Sequence, residues 1–169
     1  RAHRPGPQRR GRVSSPATRR VSTLGAIAVL TGGALLAKTV AEQSLATTPG
    51  HAGPLQLRLL YNRGAAFGLG DALPPWLVAT ATGAITAAIL GYASRAGWKQ
   101  PAAMRWAITA IAAGAAANLL DRLPDGVVTD YLHTGWFPTF NLADVLITAG
   151  AVLLALSILN QDLAPRRRS

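Results

Sequence analysis

The sequence predicts an all-α membrane protein: four transmembrane helices carrying a small extracytoplasmic β element and an amphipathic outer loop. Three observations point there. Half of the 169 residues are hydrophobic and only 14% are charged, too apolar and too unevenly charged for an ordinary soluble domain. Four apolar stretches are each long enough to cross a bilayer core of ~30 Å, which takes ~17 to 25 helical residues. The basic residues also segregate. Seven arginines fall in the first twenty residues, Arg95, Lys99 and Arg105 lie between the second and third stretches, and Arg166, Arg167 and Arg168 close the chain, which makes thirteen of the seventeen. On a four-helix weave these thirteen face one side, as the positive-inside rule requires. Both termini are therefore expected in the cytoplasm.

Residues 1–20, rich in Arg, Pro, Gly and Ser, read as a disordered basic cytoplasmic tail. Residues 21–162 form the expected membrane domain, with helices at about 23–40, 74–93, 104–122 and 140–159, and 163–169 is a second basic cytoplasmic tail. Thr18-Arg19-Arg20-Val21 before an apolar run is similar to a secretory or twin-arginine signal. An uncleaved first helix is expected instead, because three further spans need an anchor of cytoplasmic orientation.

The longest outer connection is 41–73. Within it Leu55, Leu57 and Leu59 alternate with Gln56 and Arg58, the period of a strand with one apolar face, so a small sheet or hairpin is expected on the membrane surface. The second outer connection, 121–139, holds Tyr131, Trp136 and Phe137, read as anchors of an interfacial aromatic belt. The small-residue runs Gly32-Gly33-Ala34 and Ala112 to Ala117 read as faces where helices pack closely.

A formal charge of +10 would suggest nucleic acid in a soluble protein. Here its distribution points to orientation and to anionic membrane lipids, and no nucleic-acid partner is expected. The chain has no cysteine, which excludes disulfides and a thiol nucleophile. His3, His51 and His133 are scattered and no H-E-x-x-H helix exists, so neither a metal nor another cofactor is expected.

Asp130 and Asp144 remain, one just before and one just inside a strongly apolar helix. An ionisable group at membrane depth is costly and marks function by default. Two carboxylates that converge in low dielectric cannot both ionise readily, so one keeps a proton while the other stays anionic. That supplies a general acid and a general base, the chemistry of an aspartic protease. A buried packing pair and a proton or ion relay are equally open on the residues alone. Asn141, Asp144 and Thr148 are spaced to share one helix face, which must look into the bundle. Asn118, Asp121 and Arg122 repeat that spacing, read as a network tying a helix end to its loop, with Arg122 holding the loop that carries Asp130. A Lys38/Ser44 dyad is the weaker protease alternative. Lys38 is read as snorkelling to the interface.

Four blocks in order resemble one family. Asn62-Arg63-Gly64-Ala65-Ala66-Phe67-Gly68 is similar to an N-x-G-x-A-F loop and Asn118-Leu119-Leu120-Asp121-Arg122 to N-x-x-D-R. Gly126 to Tyr131 is similar to G-x-V-x-D-[FY] and Phe140 to Asp144 to F-N-x-A-D. By these the chain resembles the lipoprotein signal peptidases, signal peptidase II, bacterial intramembrane aspartic proteases of four helices. The resemblance implies a cofactor-free endopeptidase of the bacterial cytoplasmic membrane, multi-pass, with its site near the outer face. It implies catalysis by Asp130 and Asp144, with Asn62, Gly64, Asn118, Arg122 and Asn141 lining or ordering the site. It also implies prolipoprotein substrates cut before a diacylglyceryl cysteine, and inhibition by globomycin-type peptides. A monomer is expected. Three positions depart from the family pattern: Ala34 stands where an aspartate is usual, Ala117 where glycine is, and Thr129 where an aliphatic residue is. The alternatives are a degenerate homologue that binds lipidated peptides, or a small carboxylate-based ion or proton conductor. Polar residues clustered at the outer end count against conduction.

Overall fold

The computed structural model describes residues 15–63 and 74–163. Gly64 to Gly68 of the loop motif and residues 1–14 and 164–169 of the basic tails lie outside them; residues 16–20, expected as part of a disordered tail, instead form the start of the first helix. Four helices, α1 (Pro16–Leu45), α2 (Pro75–Arg95), α3 (Ala102–Arg122) and α4 (Leu142–Leu163), alternate with three short strands, β1 (Gly50–Ala52), β2 (Leu55–Asn62) and β3 (Val128–His133). All four helices are long and apolar enough to cross a membrane. The loops joining α1 to α2 and α3 to α4 carry the strands, so the sheet forms at one end of the bundle. A 3-10 turn at Gly97–Lys99 joins α2 to α3 at the other.

Local chemistry sets the helix ends. Ser15 caps α1 by accepting the Thr18 N–H at 3.2 Å, with Pro16 in the first turn, where its missing N–H costs nothing. The helix thus begins upstream of the apolar run that announces it. α3 stops where the Leu123 and Gly126 N–H groups bond back to Leu119 and Arg122, with Gly126 at φ 83°, a conformation glycine adopts without a Cβ penalty.

α3 is the central helix: 44% of its apolar window is buried, against 17 to 22% for the other three. Its small residues make this possible. Ala107, Ala112 and Ala113 are fully buried, and between apolar helices close backbone approach supplies the contact energy. Two glycines set the α3–α4 distance. A Cβ on Gly114 would overlap the Ala143 carbonyl and lie 2.8 Å from Ile147 Cγ1; one on Gly150 would lie 2.8 Å from the Ala107 carbonyl and from Ile111 Cγ1. The run on α1 behaves differently. Gly32 and Gly33 are exposed and a Cβ on either would meet nothing within 4 Å; only Ala34 packs, meeting Ala117 and Ala143 where three helices converge. The lipid-facing surface is apolar, with Val29, Leu36, Ile85, Val152 and Leu159 more than half exposed.

The sheet is antiparallel in the order β1-β2-β3. β2 shows the alternation read from Leu55, Leu57 and Leu59, each partly buried between exposed neighbours. β3 is buried on both faces, from Val128 to Tyr131 without a break. The register slips between Leu57↔Leu132 and Leu60↔Asp130, so an extra β2 residue bulges beside Asp130. Bulges of this kind re-aim side chains near functional sites.

Candidate active site

Asp130 enters from β3 and Asp144 from the first turn of α4, and Asn141 joins them. Asn141 is not on the helix face but caps it. Its Oδ1 accepts the Asp144 N–H while Asp144 Oδ2 accepts the Asn141 N–H, both at 3.0 Å, a reciprocal capping box. The Asn141 Nδ2 then donates to Asp130 Oδ1 at 2.9 Å and to Asn118 Oδ1 at 3.0 Å. Asn118 in turn donates to Asp144 Oδ1 at 2.8 Å. One buried amide therefore touches both aspartates, and the turn that starts α4 fixes their separation.

The other oxygen of Asp130 accepts from Asn62 Nδ2 at 3.2 Å. Asn62 pairs with Val128 in the ladder, so this is a diagonal cross-strand contact on one sheet face. Asp130 is 2% exposed. Burial pushes its pKa up from the ordinary 3.8 to about 6; the Asn62 and Asn141 amides oppose that shift, and the nearby charge of Asp144 adds to it. The Tyr131 hydroxyl accepts the Leu142 N–H at 3.2 Å, so the residue after Asp130 also holds the start of α4.

Asn62, Asn118, Asn141, Asp130 and Asp144 thus meet as one hydrogen-bonded set. Arg122 does not join it as expected. It is buried, yet its Nε has no hydrogen-bond partner among the described residues. The loop before β3 is held by Asp121 instead, whose Oδ2 accepts the Thr129 N–H at 2.7 Å. Thr148, one helical turn beyond Asp144 and expected to look into the bundle with it, is exposed. Lys38 neither snorkels nor pairs with Ser44: it bridges Glu42 at 2.9 Å and Asp121 at 3.1 Å. Sequence reasoning missed Glu42, and it read Tyr131 as an interfacial anchor and Thr129 as a departure from the family pattern rather than as residues that hold this end of the molecule together.

Thr23, Thr31, Thr109 and Ser157 each donate to a helix carbonyl, so the chemistry-bearing groups gather at the sheet end. Conduction is not favoured. No group of three or more candidate metal ligands occurs among the described residues.

Residues 26–160 match the family model described as signal peptidase (SPase) II. The chain belongs to the signal peptidase II family. It is a membrane protease of the aspartic type. The lipoprotein signal peptidase of Syntrophomonas wolfei is 38% identical over 109 residues, 63% of this chain and 70% of that one. That of Pelotomaculum thermopropionicum is 41% identical over 108 residues, 63% and 68%. Two solved bacterial membrane enzymes share the fold at TM-scores of 0.73 and 0.70, with 22% and 23% identity. The first covers 88% of this chain and 94% of its own, the second 82% and 93%. The four-helix fold with a small sheet is thus shared with solved membrane enzymes, and the sheet end is where this signal peptidase II gathers Asp130 and Asp144.

Proposed function

We propose that this protein removes signal peptides from prolipoproteins, cleaving before a diacylglyceryl-modified cysteine, with Asp130 and Asp144 as the catalytic dyad. The observation that carries the reading is the Asn141 bridge: its side-chain amide donates to the Asp130 carboxylate and its backbone N–H to the Asp144 carboxylate, so one residue joins a carboxylate from a strand to one from a helix start. Relatives named lipoprotein signal peptidase supply the substrate class. We place the sheet end outside, since Arg95, Lys99 and Arg105 surround the turn at the opposite end and basic residues mark the cytoplasmic side. An acylated cysteine would then lie in lipid beside the bundle. The extended signal peptide would meet the sheet, with Gly64, on its motif alone, and Arg122 as supporting residues. The five residues that meet in the site come from one chain, which suits a monomeric active unit.

Asp130 holds the shared proton. Asp144 sits at the positive end of α4 with both oxygens facing N–H donors, an arrangement that suits an anion, and acts as base. Asp144 takes a proton from water as the oxygen attacks the scissile carbonyl, and Asp130 gives its proton to the carbonyl oxygen. The resulting diol collapses as Asp144 gives its proton to the leaving nitrogen and one diol hydroxyl returns its proton to Asp130, so the pair again holds one proton.

The test is the purified protein in lipid with a diacylglyceryl-modified prolipoprotein, followed by substrate mass. Loss of the signal-peptide mass, blocked by globomycin, is expected; a folded protein that binds the substrate and leaves it intact would reduce the reading to a binding homologue.

A pH dependence follows from Asp130. Its pKa of about 6 leaves the carboxyl protonated below that pH and ionised above it. A group needed as the acid loses its working form as pH rises, so kcat/KM, which reports the free enzyme, falls through about pH 6. The Asn62 amide favours the ionised form, hence Asn62→Ala raises the pKa and moves this limb to higher pH. A limb rising with pH near 6, or one that Asn62→Ala moves down, would assign the proton to the other aspartate.

A further inference from the structure

We infer that Thr129 and Glu42 are positioning residues for Asp130, acting as a tether from α1 that fixes where β3 presents its carboxyl. The inference rests on the dyad assignment above. Thr129 immediately precedes Asp130 and is 2% exposed. It is held twice, from two helices: its backbone N–H donates to Asp121 Oδ2 of α3 at 2.7 Å, and its hydroxyl bonds Glu42 Oε1 of α1 at 3.1 Å. Lys38 closes the ring, bridging Glu42 at 2.9 Å and Asp121 at 3.1 Å. One cation thereby keeps two carboxylates side by side, and the two carboxylates grip the same residue.

The geometry separates this ring from the reacting groups. Along a strand, neighbouring side chains leave on opposite faces, so the Thr129 hydroxyl points away from the face on which Asp130 meets Asn62 and Asn141. Among the described residues no hydrogen bond runs from the ring to either carboxylate of the dyad, although Lys38, Asp121 and Thr129 line one cavity with Asn118 and Asn141. What the ring controls is the backbone one residue upstream. The Lys38–Glu42 pair itself adds little energy, because the two side chains are 27% and 30% exposed and such pairs are solvent-screened. A site of this kind works only within about 0.5 Å of its productive geometry, and a displacement of about 1 Å costs on the order of 10²-fold in rate. Among the described residues, the Glu42–Thr129 bond is the side-chain hydrogen bond from α1 to β3. Without it, the polar link among the described residues from α1 to the strand carrying Asp130 runs through Lys38 and Asp121.

The experiment compares Thr129→Val, Thr129→Ser, Glu42→Ala and the Glu42→Ala/Thr129→Val double variant on a lipidated prolipoprotein. Rates are normalised to monodisperse protein, with Asp130→Asn as reference. Valine keeps the shape and β-branching of threonine and deletes only the hydroxyl. Thr129→Val is expected to lower kcat about tenfold, a fraction of the loss for a full ångström, with KM within about twofold, since substrate contacts are intact. Thr129→Ser restores kcat. Glu42→Ala, at a half-exposed position that tolerates substitution, matches Thr129→Val. The double variant is no slower than either single one, because both remove the same contact. Wild-type kcat in Thr129→Val, equal impairment of the serine and valine variants, or losses that multiply in the double variant would each overturn the tether. Cleavage by Asp130→Asn would overturn the dyad assignment itself, whatever the Thr129 variants do.

Discussion

Asp130→Asn is expected to lower kcat on the order of 10³-fold or more while leaving the protein folded, and Asp144→Asn to do the same with a measurable loss of stability. General acid and base catalysis by positioned side chains supplies ~10² to 10⁴-fold each, and an amide can neither take nor give the proton. The two variants differ in what else they break. At position 130 both carboxylate oxygens accept from side-chain amides, Asn62 and Asn141. An asparagine there confronts one amide with another, and a flip of the Asn62 side chain relieves the clash. At position 144 one oxygen accepts the Asn141 backbone N–H and the other the Asn118 amide, which is itself committed to Asn141. No single flip satisfies all of them, and a buried donor left unpaired costs about 1 to 3 kcal/mol. Thermal unfolding in detergent alongside single-turnover cleavage reads both effects. Turnover by Asp130→Asn within about tenfold of wild type would remove the dyad, and a less stable Asp130→Asn than Asp144→Asn would refute the hydrogen-bond accounting.

The asymmetry between the two sites marks the limit of what the sequence discloses. Four spans, the alternation of β2, and two aspartates bracketing the last helix are all written in periodicity, hydropathy and charge. β3 is not. Val128 to Tyr131 are buried on both faces, so the apolar/polar alternation that reveals β2 is missing and the segment reads as a loop. Asn141 is legible as a polar residue near Asp144 but not as its cap, because helical spacing cannot say that the helix starts one residue later. Lys38 is the clearest case. An isolated lysine near a helix end looks like a snorkelling side chain. Its two carboxylate partners come one from its own helix and one from the far end of α3, so only the tertiary fold shows the ring. Arg122 shows the converse: its spacing from Asn118 suggests a loop tie, while in the fold Asp121 makes that tie.

Helix packing carries the other large expected effect. Gly114→Ala should disable cleavage about 10²-fold in protein that remains folded. The added methyl overlaps the carbonyl of Ala143, the residue before Asp144, and stands 2.8 Å from Ile147 Cγ1 and 3.2 Å from Ile147 N. Two of these three are backbone atoms, which no rotamer change can move aside. The first turn of α4 must shift outward, taking Asp144 and its cap Asn141 away from Asp130, and a shift near 1 Å costs on the order of 10²-fold. Gly150→Ala provides the matched insult. Its methyl would lie 2.8 Å from the Ala107 carbonyl and 3.0 Å from Ile111 N on the same two helices. Gly150 is six residues beyond Asp144, about 9 Å along the axis at 1.5 Å per residue. Overpacking should destabilise both variants by about 1 to 3 kcal/mol, whereas only Gly114→Ala moves the dyad. Comparable melting temperatures with a kcat at least tenfold lower for Gly114→Ala are expected. Equal kcat in the two variants would mean that the helix interface acts on activity only through overall stability, and that the start of α4 absorbs the extra methyl without displacing its aspartate.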